Sequence, residues 1–173
     1  QGECMPGLVC GTDNGPKFEL PARIDTCVAP HCFNDVLDAG ETNIDCGGEC
    51  GRCLETCSGT AGDGGFCISC ACVMGQGDCD YNRECAPGLI CAVDQGPRFG
   101  FSHSTDVCLP AHCTDRVQQS ALGEAGIDCG GPCGACLPTC AEPAGGNDFC
   151  RWCRCTSGQG GCDNHREGAP GMA

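Results

Sequence analysis

Glu3-Cys4-Met5-Pro6-Gly7-Leu8-Val9-Cys10 returns as Glu84-Cys85-Ala86-Pro87-Gly88-Leu89-Ile90-Cys91, an offset of 81 residues. Working outward, Cys27, His31 and Cys32 recur as Cys108, His112 and Cys113 at the same offset. Beyond them Cys46, Cys50, Cys53, Cys57, Cys67, Cys70, Cys72 and Cys79 recur as Cys129, Cys133, Cys136, Cys140, Cys150, Cys153, Cys155 and Cys162, now offset by 83. The chain is therefore a tandem duplication with a two-residue insertion, placed near Ser120-Ala121, where a surface loop absorbs added length cheaply. The copies span residues 1–83 and 84–166, and 167–173 reads as the truncated start of a third.

Cysteine decides what kind of fold this is. The chain has 173 residues, 24 of them Cys and 29 Gly, while Leu, Ile, Val and Phe together supply only 26. With a formal charge of −14, so little apolar surface would ordinarily leave a chain disordered. Disulfides change that expectation, since each bridge closing a loop of moderate length is worth about 2–4 kcal/mol. The expected fold is small and disulfide-rich: two tandem cysteine-rich repeats with short β-hairpins and turns, elongated, with little helix. Gly, Pro, Asn and Asp interrupt every short apolar run, and no stretch sustains helical periodicity. Leu8-Val9-Cys10 and Leu89-Ile90-Cys91 are the best strand candidates, and one helical turn is expected near Asn34 to Leu37.

All twelve cysteines of each copy, Cys4 to Cys79 and Cys85 to Cys162, are expected in bridges. Their pairing is open, because twelve cysteines allow roughly ten thousand connectivities. Disulfides imply an oxidising compartment, so the expected location is extracellular or at a cell surface. Gln1 follows no initiator Met or apolar run, which reads as a processed chain or an excerpt from a longer precursor. Nine basic residues against 23 acidic ones argue against nucleic acid, and the short apolar runs argue against membrane insertion.

Chemistry-bearing patterns are few. Cys46-x3-Cys50-x2-Cys53 and Cys67-x2-Cys70-x-Cys72 have spacings at which thiolates converge on zinc, but the surrounding cysteine density favours bridges. Asp35, Asp38, Glu41 and Asp45 crowd oxygen ligands as a calcium loop would. In copy two the first pair becomes Arg116 and Gln119, leaving Glu124 and Asp128, which favours a solvated acidic face. His31 and His112 hold equivalent places, with structural hydrogen bonding the favoured role. No nucleophile, phosphate loop or paired carboxylate stands out, so no catalytic residue, no cofactor and no enzymatic activity are expected.

Cys-x-Pro-Gly-Leu-Val-Cys, Pro30-His31-Cys32 and Asn43-Ile44-Asp45-Cys46-Gly47-Gly48-x-Cys50-Gly51-x-Cys53 resemble cysteine-rich tandem repeats of large secreted and cell-surface proteins of algae, protists and some bacteria. The resemblance covers nearly the whole chain and implies an extracellular structural, adhesive or filament-forming role.

The expected function is thus a subunit of a fibre, appendage, wall or matrix, with other copies of itself as partner, joined head to tail. The junction residues are Cys4, Cys79, Cys85 and Cys162: the middle of the chain holds both Cys79 and Cys85, the head keeps only Cys4 and the tail only Cys162, with Gly168 where the next cysteine would stand. Two bonding schemes are open. Either every bridge is internal to a copy and subunits stack without covalent links, the favoured scheme, or Cys79 pairs with Cys85 and Cys4 and Cys162 link successive subunits. The alternative function is a tandem binding module for glycans or proteins, presenting Phe18, Arg23, Phe99, Phe101 and His103.

Overall fold

The computed structural model describes residues 4–59, 65–141 and 153–155. It is a small disulfide-rich fold in which two short β-hairpins are followed by turns and single 3-10 turns, with no α-helix among the described residues. In copy one, β1 (Val9–Gly11) pairs antiparallel with β2 (Thr26–Val28), Cys10 facing Cys27. In copy two, β3 (Leu89–Ala92) pairs with β4 (Val107–Pro110), Cys91 facing Cys108. β3 contains the expected Leu89-Ile90-Cys91 and runs one residue further, while β1 begins one residue later than the apolar run places it, Leu8 donating its N–H to the Met5 carbonyl in the preceding turn. The helical turn expected at Asn34 to Leu37 is found earlier, at Pro30–Phe33 and again at Ala111–Thr114. In copy one Pro30 opens it with a pre-set φ.

Bridges repeat with the sequence. Cys4–Cys27 and Cys85–Cys108 each tie the start of a hairpin to its second strand, and both span 23 residues. Cys46–Cys53 and Cys129–Cys136 span seven, and Cys57–Cys70 and Cys140–Cys153 span thirteen. Cys32–Cys50 spans 18 residues and Cys113–Cys133 spans 20, so the two extra residues lie in that loop. There Ser120–Leu122 form an exposed turn. Cys67–Cys72 completes copy one, and Cys155 is likewise disulfide-bonded. Cys150 and Cys162, with 156–173 and the Asp-Asn-His-Arg tail, lie outside the described residues.

The buried interior is mostly sulfur. Fully buried positions include Cys32, Cys67, Cys72, Cys79, Cys108 and Cys129, with Val107 and Leu109 the largest aliphatic ones. One repeated device holds the loop after each hairpin. Asp45 and Asp128 sit at φ 52° in both copies, a left-handed conformation that Asp tolerates because its short side chain can bond locally. The Asp45 carboxylate accepts the Asn34 and Asp35 N–H groups at 2.9 and 3.1 Å. Asp128 accepts the Arg116 N–H at 2.9 Å. From the other side, Lys17 donates to the Asp45 carbonyl at 2.7 Å, and its counterpart Arg98 donates to the Asp128 carbonyl.

Lys17 is the sole lysine of the chain and is 7% exposed. Burial lowers its pKa from 10.5 to about 8, against the opposing pull of Asp45. The folded state therefore releases this proton before the unfolded state does. Below pH 8 both states are charged and the fold bears the cost of burying an ammonium. Between about 8 and 10.5 only the unfolded state holds the proton, so stability rises with pH across that window. We expect the Lys17 Hε resonances to titrate near pH 8 and the denaturation midpoint of thiol-blocked protein to climb between pH 8 and 10, a climb that Lys17→Met abolishes. A lysine titrating at its ordinary value would refute the buried geometry.

Candidate functional site: the junction between the copies

The most heavily built site joins the end of copy one to the start of copy two. Cys57, Cys67, Cys72, Cys79, Cys85 and Cys108 form one buried cluster, against which Phe66, Cys70, Leu89 and Cys91 pack. Four of the six central sulfurs come from copy one and two from copy two, so neither copy closes this cluster alone. Parallel pairing at Cys72 and Cys85 stitches the two segments together. The Cys72 N–H donates to the Glu84 carbonyl and the Ala86 N–H to the Cys72 carbonyl, both at 2.8 Å.

The tail of copy one also lies along the outer edge of β4. Gly75 donates to the Cys108 carbonyl at 3.0 Å, Cys108 to the Gln76 carbonyl at 2.9 Å, and Cys79 to the Asp106 carbonyl at 3.3 Å. Asp78 accepts the Asp106 N–H at 2.9 Å. Such close approach requires Gly77, since a Cβ there would collide with the Asp106 carbonyl oxygen. The Gln76 side chain turns back to copy one, donating to the Gly59 carbonyl at 2.9 Å.

Cys79 is bonded to Cys91. This differs from both schemes drawn from the sequence: the bridge is not internal to copy one and does not run to Cys85, which closes on Cys108. Cys4 closes on Cys27. Among the described bridges, Cys79–Cys91 alone crosses from copy to copy. The physical reason is geometric: the tail segment runs beside β4, and Cys91 faces Cys108 across the hairpin, so its sulfur lies next to the passing Cys79. Cys10, the counterpart of Cys91 and expected in a bridge, is instead a free and exposed thiol.

Arg83 clamps the junction from outside. It is 9% exposed, with its guanidinium carbon 3.9 Å from the Phe33 ring centre and 3.7 Å from that of Tyr81. Stacking of this kind on two aromatic faces suits a desolvated guanidinium. Its Nη1 also lies 3.5 Å from the Asp35 carboxylate. Adjacent Glu84 has its pKa raised by burial, opposed by the hydrogen bond from Asp80.

The residues singled out for metal chemistry are placed otherwise. Asp45 and Glu41 spend their carboxylates on backbone donors, Glu41 accepting from Asp38 at 3.0 Å and from Asp45 at 3.2 Å. Asp38 takes the Asn34 amide at 2.7 Å and Asp35 faces Arg83, so the four acids do not converge on a common point. The zinc-like spacings resolve into the bridges Cys46–Cys53, Cys32–Cys50, Cys57–Cys70 and Cys67–Cys72. His31, Cys32, Glu41 and Cys50 do crowd together, as do His112, Cys113, Glu124 and Cys133. In each group the two sulfurs are bonded to one another and so are not thiolate ligands. His31 pairs with Glu49 at 3.1 Å. In copy two Pro132 stands in place of Glu49, and the buried His112 Nε2 has no partner.

The residues nominated for recognition are divided between the copies, Phe18 and Arg23 in the first and Phe99, Phe101 and His103 in the second. Phe99 and Phe101 pack against the cluster of Ala92, Val107, Leu109, Cys113 and Cys133, and Phe18 lies beside Gly51. Arg23 approaches Gly65. One cleft, lined by Asn14, Lys17, Ile68, Arg83 and Glu84 among others, has room for about one water. Comparison with protein-family models, with curated proteins and with solved structures finds no match.

Proposed function

We propose that this chain is a non-enzymatic, extracellular structural protein, a subunit of a fibre, appendage, wall or matrix in which repeats join head to tail. The observation that supports this most is the shared sulfur cluster: the tail of one copy is covered by the hairpin of the next, through a bridge, a strand-like pairing and the Cys72–Cys85 stitch. A contact between two different faces of one repeating unit propagates wherever another unit offers its head, and it forms a filament unless its rotation closes a ring.

The composition suits such a material. Bridges in place of a large apolar core imply an oxidising setting, and a charge of −14 keeps lateral faces apart while end-to-end contacts form. Electron microscopy and sedimentation of the oxidised chain test the reading. Linear or ring-shaped assemblies with an axial repeat are the expected result. A species that stays strictly monomeric at every concentration up to the millimolar range would overturn it.

A further inference from the structure

We infer that each copy carries a zinc site concealed by its own disulfide: when Cys113–Cys133, or its counterpart Cys32–Cys50, is reduced, the two thiolates join His112 and Glu124, or His31 and Glu41, around one Zn²⁺ ion. The inference holds whether or not chains assemble.

The ligand atoms of His112, Cys113, Glu124 and Cys133 all lie within 4.8 Å of one another, and so do those of His31, Cys32, Glu41 and Cys50. Four ligands held tetrahedrally at ~2.0–2.3 Å from zinc stand about 3.3–3.8 Å apart, so the main movement required is that the two bonded sulfurs separate by about 2 Å. Two thiolates, an imidazole and a carboxylate are a donor set that zinc accepts. The cluster also survives a change of loop length. The span from Cys113 to Cys133 is 20 residues against 18 from Cys32 to Cys50, yet all four residues return to the same grouping, while the neighbouring Asp35 and Asp38 give way to Arg116 and Gln119.

A second, independent observation comes from polar atoms that the oxidised state leaves unsatisfied. Glu124 is 3% exposed. Its Oε2 accepts the Gln119 N–H at 2.7 Å, but its Oε1 faces the Cys133 sulfur at 3.4 Å, and a bridged sulfur has no proton to give. Glu41 repeats the arrangement, with Oε2 on the Asp38 and Asp45 N–H groups and Oε1 3.3 Å from the Cys50 sulfur. In copy two the His112 Nε2 is also buried with no hydrogen-bond partner. Buried polar atoms of this kind call for an explanation. A cation seated between them and two thiolates satisfies the carboxylate and the imidazole together.

Opening the bridge needs a two-electron reductant, and a small thiol such as reduced glutathione supplies it. One glutathione thiolate attacks the bridge, giving a mixed disulfide and one cysteine thiol. A second attacks the glutathione sulfur of that mixed disulfide, releasing the other cysteine and oxidised glutathione. Two electrons and two protons pass to the cysteines, and Zn²⁺ then displaces both protons as it binds the thiolates. In an oxidising setting the disulfide prevails, so the zinc form belongs to the chain before its bridges close and to reducing surroundings. Zinc and cystine are alternative ties between the same 3-10 turn and the same loop.

The test uses the 173-residue chain equilibrated in glutathione buffers of graded reducing strength, with zinc chloride or without metal. After an acid quench and removal of zinc, thiols are alkylated and mass spectrometry gives the reduced-to-bridged ratio of each pair. With free zinc at 100 times its dissociation constant, that ratio should rise about 100-fold for Cys32–Cys50 and Cys113–Cys133. It should stay unchanged for Cys46–Cys53 and Cys129–Cys136, which belong to no such ligand group among the described residues. Glu124→Gln and His112→Ala should each cut the rise at Cys113–Cys133 by about tenfold or more, as loss of even an outer partner of a metal site does. Both should leave the rise at Cys32–Cys50 intact, so that copy one reports the folding of the variant from within the same molecule. Glu41→Gln and His31→Ala should do the reverse. No zinc-dependent change at these two bridges, an equal change at every bridge, a rise that persists in full in the variants, or a single-copy variant that silences both bridges would each overturn the inference.

Discussion

Complete reduction and alkylation are expected to unfold the chain outright: backbone chemical-shift dispersion collapses and the circular dichroism becomes that of a disordered chain. The aliphatic side chains in the buried interior are few, with Val28, Ile68, Val107 and Leu109 foremost. At about 1.5–3 kcal/mol for each fully buried side chain, they fall far short of the roughly 1–2 kcal/mol per residue needed to order the backbone. The strands of the two hairpins are three and four residues long, and isolated pairs of that length are marginal in water. What remains is the cystine network, which both fills the interior and restricts the unfolded chain. Native-like dispersion surviving full alkylation would mean that packing alone specifies the fold.

The second large effect is local. Replacing Cys79 and Cys91 by Ser removes the bridge that joins the copies, which closes a span of 12 residues. Loop-closure entropy puts its contribution at about 3 kcal/mol, a factor on the order of 100 in a local opening equilibrium. The amides that pair the tail with β4, those of Gly75, Cys79 and Cys108, should then exchange with solvent about 100-fold faster. The Asn34 and Asp35 amides held by Asp45 belong to a loop closed by Cys32–Cys50 and Cys46–Cys53, and their exchange should stay unchanged. Equal acceleration at both places would show that the copies open as one cooperative unit.

How much of this is visible in the letters depends on which interaction carries it. The duplication, the disulfide-rich class and the two hairpins follow from the recurrence of Glu-Cys-x-Pro-Gly-Leu and from apolar triplets fenced by Pro-Gly and Asp-x-Gly turns. The bridge from Cys79 to Cys91 does not. An even count of twelve between Cys4 and Cys79 invites closure within the copy, but a bonding pattern shifted by one cysteine has the same count per repeat. Only the path of residues 75–79 along β4 distinguishes the two. The carboxylates show the same limit. Asp45 and Asp128 are plainly repeated in Ile-Asp-Cys-Gly-Gly, yet their left-handed backbone and capture of loop amides come from the fold around them. The Arg83 clamp left no repeat to find, since Phe33, Asp35 and Tyr81 become Thr114, Arg116 and Asn164 in copy two.

With its one lysine sealed under Asp45, the folded chain offers no side-chain amine at its surface. Reagents and enzymes that require a lysine ε-amine have no accessible target while the fold holds. Crosslinks between folded chains would have to use groups other than lysine, the exposed Cys10 thiol and the Tyr81 phenol among them.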